Sequence, residues 1–371
     1  METTQAEPAS RLRASSPPCL RALSRRALPR LLAFSLLISS AAQPAEPAPN
    51  AVAPAAGPPA QSGRHVLLIA YDLRNGGISK TTRSFLNAAG YLHWRVTVAD
   101  AKSSNDSVRE QLLLQATAKD VAGVALVGAD SAGYHLELAL LKQMGKVAVG
   151  WHAGSSPGPN AELFANVTTD PIAVAQTAVS YAIGSSTGPL GAVIFTDSHF
   201  SIAMRKANAM KDALLRCKRC KVLAMEDVDL SKTAQLIPQR VPRLAQKYGA
   251  AWTHTLAIND LYFDNINFPL HQTARPDIVN ISAGDGSNSA MNRIREGISQ
   301  QKATVAEPCN QQGWQMADEL NRGFARQPPS GFVSKPILVT QDKLLAHPRD
   351  GDIEDDQAYR QAYLGIWLKK P

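Results

Sequence analysis

Polar and aromatic side chains recur where short apolar runs of this chain stop. Tyr71 and Asp72 follow "HVLLIA", Asp130 follows "VALVGA", Trp151 and His152 follow "KVAVG", Asp197 follows "GAVIFT", Asn259 and Asp260 follow "TLAI", and Asp285 follows "NISAG". Asn, Asp and His give or take hydrogen bonds, and Tyr and Trp offer flat apolar faces, a set suited to holding a small molecule. Any one of these residues alone is equally a helix cap or a turn residue, for which Asp and Asn are preferred. Their joint occurrence at strand ends favours a ligand site, because open α/β sheets bind ligands at that edge. Motifs for covalent or metal chemistry are missing: there is no GxSxG, HExxH or P-loop, and no GxGxxG follows a strand. The eight histidines are scattered, with no i, i+4 pair to hold a metal. No cofactor or metal is expected. His152 beside Asp285 keeps an acid–base enzyme as the remote alternative.

The elements that must position these residues show a clear rhythm. From Arg64, the runs "HVLLIAYD", "WRVTVAD", "VAGVALVGAD" and "KVAVGWH" are each followed by a segment long enough for a crossover helix. After "LFANVTTDP" the rhythm restarts with "GAVIFTD", "KVLAMEDV", "TLAIND", "DIVNISAGDG" and "ATVAEP". Two successive βα series predict an α/β chain with two doubly wound parallel-sheet lobes. "GWQMADELNRGF" spaces Trp314, Ala317, Leu320 and Phe324 as a helix burying one face, which makes Trp314 core. Tyr262 and Phe263 are likewise read as core. In the tail, Tyr359, Tyr363 and Trp367 recur every four residues, a short terminal helix laying an aromatic face on a lobe.

At 371 residues, with 44% apolar residues, the chain has material for two cores and reads as a soluble two-domain protein. Its formal charge of +8 overstates the basicity of the folded part. Residues 1–42 carry six Arg against two Glu, and without them 33 basic residues face 29 acidic ones. No basic run follows residue 63, so nucleic acid is not an expected partner. The basic stretch "RLRASSPPCLRALSRRALPR", the apolar "LLAFSLLISS" and the small-residue "SAAQPA" have the order of an export signal, 1–42, cleaved near Ala42. About ten apolar residues fall short of the roughly 20 needed to span a bilayer, which favours cleavage over an anchor. "SRRALPR" fits a twin-arginine signal as well as an ordinary Sec signal. Residues 43–63 are Pro/Ala-rich and nearly uncharged, an extended linker. Cys217 and Cys220 in "CKRC" are a candidate disulfide in an oxidising compartment, and Cys309 is left as a buried thiol.

The chain resembles the type I periplasmic binding proteins of ABC importers, in the ribose-binding-protein-like branch. The resemblance rests on "NVTTDP" at 166–171, "FTDSHFSIAMRKANAM" at 195–210, "AIND" at 257–260, "SAGDGS" at 282–287 and "ATVAEPCNQQGWQMADELNRGF" at 303–324, in the family's order, and covers about residues 64–345. It implies a hinge of three crossings, near Thr169, Glu307 to Asn310, and Val333 to Lys335. The N-terminal lobe is then 64–168 with 309–333 returning to it, and the C-terminal lobe 170–307 with 336–345, followed by a tail, 346–371. Lobes of this kind close on a ligand, and a membrane importer reads the closure.

Residue by residue, the resemblance makes Asn259 a hydrogen-bonding partner of a ligand hydroxyl and Asp285 the carboxylate of the strand-end "DG". Lys206 stands where the family often has Arg, and Glu307 stands at the second crossing where Gln is common. Trp151 and His152 occupy the place of an Asp-Arg pair, Tyr71, Asp72 and Asn75 belong to the first loop, and Phe200 is a wall of the cleft. Sugars present apolar ring faces and a belt of hydroxyls, so Asn, Asp and His suit the belt while Tyr71, Trp151 and Phe200 supply faces. The first loop, "YDLRNGGIS", lacks the adjacent aromatics of the branch, and the Asp-Arg pair is gone, which argues against ribose itself. Asp285 with Glu307 would also suit a cationic or amine-bearing ligand, unless Lys206 and Arg74 balance them.

The expectation is therefore a periplasmic, monomeric, non-enzymatic receptor for a sugar or polyol that delivers it to an ABC transporter permease. A sensor serving a chemoreceptor or membrane kinase is the alternative. A DNA-binding regulator of the same fold would need a helix-turn-helix where residues 1–63 supply a signal and a linker.

Overall fold

The computed structural model describes residues 51–347, 353–354 and 356–369. The export signal expected over 1–42 lies outside the described residues. Five strands, β1 (His65–Ala70), β2 (Arg95–Asp100), β3 (Gly123–Val127), β4 (Val147–Trp151) and β5 (Ala165–Val167), form one all-parallel sheet in the order β2-β1-β3-β4-β5. Six more, β6 (Leu190–Thr196), β7 (Cys220–Asp227), β8 (His254–Ala257), β9 (Val279–Ser282), β10 (Gln301–Ala306) and β11 (Ile337–Thr340), form a second in the order β11-β10-β9-β8-β6-β7. All its pairings are parallel except β10 with β11. Central strands such as β1, β3 and β6 are apolar without alternation because helices cover both their faces, and Val66 to Ala70 are essentially inaccessible. The edge strands β2 and β7 keep half-exposed and charged residues.

Helices α1 (Gly76–Tyr91), α2 (Asn105–Leu114) and α3 (His135–Gln143) serve the first sheet. Helices α4 (Pro171–Ser185), α5 (Ser201–Leu215), α6 (Thr233–Tyr248), α7 (Leu261–Gln272) and α8 (Asn288–Glu296) serve the second. Their starts are written locally: Asn75 caps α1, and Asp170 caps α4 ahead of Pro171 in the first turn. After β10 the chain leaves the second sheet, α9 (Cys309–Phe324) packs on α1 and β4, and β11 with α10 (Gln341–Leu345) rejoins the second sheet. Finally α11 (Asp356–Trp367) returns to α9. No helix among the described residues is long and apolar enough to cross a membrane. Cys217 and Cys220 are joined in a disulfide between α5 and β7, and Cys309 is a buried thiol.

Two readings of the sequence need correction here. The linker does not float over residues 51–61, and α9 does not bury one face only. Gln311 Nε2 donates to the Val52 carbonyl at 2.5 Å, Asn321 Nδ2 donates to those of Pro58 and Pro59, and Arg322 donates to that of Ala56. Gln61 N donates back to Asn321 Oδ1, and Ala53 is buried. A Pro-rich strand has carbonyls but few N–H groups, so it is complementary to the polar donors of α9. Composition alone misses this, because it counts apolar burial and not acceptors. On the same side Tyr359, Tyr363 and Trp367 of α11 surround Trp314, with Trp367 stacked on it at 5.3 Å. Trp367 Nε1 donates to Asp318 Oδ1 at 2.8 Å, while Arg322 holds the other oxygen at 2.7 Å.

Burial of α9 leaves a titratable trace. Glu319 accepts from Ser330, and burial pushes its carboxyl from an ordinary 4.5 to about 7. A carboxyl with a raised folded pKa binds its proton more tightly when folded, so the stability it lends is complete below 4.5 and is lost as pH rises through 7. Asp260, pushed by burial to about 6, acts in the same direction. His254, lowered by burial to about 4, acts oppositely, but its contribution is already complete above 6.5. Stability is expected to fall between pH 6.5 and 7.5 by up to about 1 kcal/mol. Glu319→Gln should flatten that slope in melting curves; an unchanged slope would show that Glu319 is not its source.

Candidate ligand-binding site

The carboxyl ends of both sheets face each other across a cavity of about 400 Å³. From the first lobe Tyr71, Asp72, Asn75, Trp151 and His152 line it, and from the second Phe200, Lys206, Asn259 and Asp285. Glu307 does not reach the cavity surface; it lies behind Lys206 and His152 and holds both. Lys206 Nζ donates to Glu307 Oε1 at 2.5 Å, and His152 Nε2 meets Oε2 at 2.8 Å. Thr168 Oγ1, Thr169 N and Thr169 Oγ1 complete the shell around Oε2. Burial by itself would raise the Glu307 pKa, but the charges of His152 and Lys206 and the bonds they donate hold it well below the usual range. The carboxylate therefore joins β5's end, α5 and β10's end through one ionised group.

Lys206 is carried into this position by the packing of α5, whose buried face also holds Ile202, Ala203, Ala207 and Met210. His152 and Asp285 both sit at positive φ, +49° and +61°, a region costly for residues other than glycine. At His152 this lays the imidazole flat on the Trp151 ring, 3.8 Å away. Trp151 thus spends a face on His152 and its Nε1–H on Gln312, so it is a platform for the histidine more than an open stacking face for a ligand. Tyr71 and Phe200 remain as aromatic walls, meeting edge to face across the cleft at 5.5 Å.

Other expected contacts are partly spent inside the protein. Asp72 accepts from Arg74 at 2.6 Å and from Ser103; burial would raise its pKa, but these bonds lower it to about 2. Asn75 uses its oxygen to cap α1. Asn259 accepts from Leu261 N at 2.9 Å and donates to Asp285 Oδ2. Asp260, its sequence neighbour, is fully buried and accepts from Ser287 N and Gln301. Tyr262 and Phe263 are core, the Tyr262 hydroxyl bonding the Val228 carbonyl.

Sequence reasoning missed Ser103, Asn105, Asp229 and Ser231, which also line the cavity. They follow β2 and β7, so the strand-end rule would have found them had it been applied to these edge strands too. The lobes also touch directly. Asp130 Oδ2 accepts from Ser201 N at 2.9 Å, capping α5 from the opposite lobe. A Cβ at Gly77 would lie 2.8 Å from Asp285 Oδ2, a close approach that needs glycine.

His152, Asp285 and Glu307 place ligand atoms within 4.8 Å of one another, the spacing of a metal cluster. They do not fit a cation, because Glu307 already accepts from four residues and Lys206 brings its own positive charge there.

No protein-family model and no curated relative matches the chain. Solved structures do. An ABC transporter solute-binding protein from Agrobacterium vitis with bound allitol aligns at TM-score 0.68 and 13% identity, over 76% of this chain and 97% of that one. A Caulobacter myo-inositol binding protein bound to myo-inositol aligns at TM-score 0.67 and 17% identity, over 78% and 98%. An ABC sugar transporter subunit from Rhodobacter sphaeroides 2.4.1 aligns at TM-score 0.67 and 14% identity, over 76% and 99%. The chain has the type I periplasmic-binding-protein fold.

Proposed function

We propose that this protein is an exported solute receptor that closes its two lobes on a sugar or polyol and delivers it to an ABC importer. The observation that carries the reading is the cavity between opposed strand ends, with walls from both lobes and a buried ionic floor shared by Lys206, His152 and Glu307. The hinge would be the crossings near Thr169, at Glu307 to Asn310 and at Val333 to Lys335, whose backbones absorb the rotation. Support for a hydroxylated ligand comes from Asn259, His152 and Asp285 beside the walls of Tyr71 and Phe200, and from the allitol and myo-inositol bound by proteins of the same fold. A binding role needs no cofactor and fits a monomer, and the periplasm is the compartment in which such a receptor meets its importer.

The test is a titration of residues 43–371 with a panel of hexoses, pentoses, inositols and linear polyols, followed by calorimetry and by scattering of the radius of gyration. A binder should raise the melting temperature, since it binds only the folded state, and should compact the particle. Asn259→Ala should weaken that binder at least about tenfold, near 1.4 kcal/mol, because it removes the amide that positions Asp285 as well as a ligand contact. Binding that survives Asn259→Ala unchanged would place the ligand elsewhere.

A further inference from the structure

Resting on the receptor reading above, we propose that the natural ligand is an amino sugar or amino polyol whose ammonium group seats against Asp285. The argument begins with the carboxylates around the cavity, nearly all of which already have a cation. Asp72 is paired with Arg74 at 2.6 Å, Asp197 with His199 at 2.7 Å, Asp229 with Lys232 at 3.1 Å, and Glu307 with Lys206 at 2.5 Å. Asp285 is the exception: among the described residues no cation lies within ion-pair distance of it. The residue is 5% exposed, Oδ2 accepts the Asn259 amide, and among the described residues no donor meets Oδ1.

The groups that face Asp285 do not complete it. Lys206 and His152 are near enough to draw its pKa down, yet burial outweighs them and the net displacement is upward. The side-chain hydrogen bond that each makes goes to Glu307 instead. The start of α1 approaches from the other lobe, but Asn75 already takes the N–H groups of Gly77 and Ile78. Glu307 adds a second negative group that raises the Asp285 pKa, and Asp285 in turn raises that of fully buried Asp260. A buried charge left with one amide is expensive, and positive φ at Asp285 adds backbone cost to holding it there.

A neutral hydroxyl offers such a carboxylate one donor and no charge. An ammonium offers three donors and the missing counter-charge, and charge-assisted bonds are about twice as strong as neutral ones. The cavity lining also carries Ile78, Phe200, Ile202 and Leu230, which suit the apolar face of a ring or carbon chain. One face apolar and one end cationic describes an amine-bearing carbohydrate better than its neutral parent.

The experiment is calorimetry on residues 43–371 at pH 7 in low salt with matched pairs: glucose against glucosamine, galactose against galactosamine, and sorbitol against 1-amino-1-deoxysorbitol. In at least one pair the amine should bind tenfold or more tighter than its neutral parent, and Asp285→Asn, which keeps the shape and removes the charge, should bring that ratio close to one. Equal or tighter binding of the neutral member in every pair that binds overturns the inference and leaves the receptor reading standing. Failure of all six compounds and of the wider panel to bind overturns the receptor reading and this inference with it. The wild-type ratio decides the question even where the Asp285→Asn variant folds poorly.

Discussion

Replacing Glu307 with alanine is expected to destabilise the protein by about 3–5 kcal/mol, the usual cost of removing one partner from a buried ion pair. Lys206 Nζ, 3% exposed as a side chain, would be left without its carboxylate at 2.5 Å, and His152, Thr168 and Thr169 would lose their common acceptor. Equilibrium urea unfolding measures the loss. The double change Glu307→Leu with Lys206→Met should recover most of it, because a buried pair exchanged for apolar side chains of like volume is often neutral or better. Ligand binding should not recover with it, since Lys206 and the orientation of His152 belong to the cavity. A single-variant loss below about 1 kcal/mol would mean that water reaches this network and the pair is worth no more than a surface one.

The second large effect is expected at Trp367. Trp367→Ala removes the ring stacked on Trp314 and the N–H that meets Asp318, and truncating a buried tryptophan costs about 3–5 kcal/mol. Trp367→Phe should recover roughly half of that, because it restores apolar contact but leaves one Asp318 oxygen without its donor; an unmet buried acceptor costs about 1–3 kcal/mol. Because α11 packs chiefly on α9, it can undock at less cost than global unfolding. Amide exchange in Trp367→Ala should accelerate in α11 and in residues 51–61 before it does in β1, and exchange that rises uniformly would contradict separate docking.

Much of the architecture was legible because β1, β3 and β6 are near-continuous apolar runs rich in Val, Ile, Leu and Ala, a signal of strands covered on both faces. The cavity was legible for a related reason: a residue that ends such a run stands at the sheet edge whatever its side chain does. Roles were harder to read than places. Asp72 and Asn75 lie at the cavity, yet their oxygens serve Arg74, Ser103 and the start of α1, which depends on loop geometry. Lys206 carried a local signal, a lysine on the apolar stripe of α5, and such a lysine must find a buried partner. That the partner is Glu307, 101 residues away, could be read only from the fold or from the family resemblance. The docking of residues 51–61 was the least visible, because its acceptors are backbone carbonyls that no side-chain pattern encodes.

The placement of α9 has a consequence for how the molecule is made. The core around Trp314 draws on residues 53–167 and again on 309–367, whereas the core of the other lobe lies almost wholly within 174–305. A chain emerging from its N-terminus therefore presents the middle lobe with nearly all its partners first, lacking only the edge strand β11. In the lobe whose strands appear earliest, the core within 67–163 closes early but the core around Trp314 must wait for residues 309–367, and contacts closed over such distances are slow to form. The half whose strands come first in the chain is thus the half whose packing is completed last.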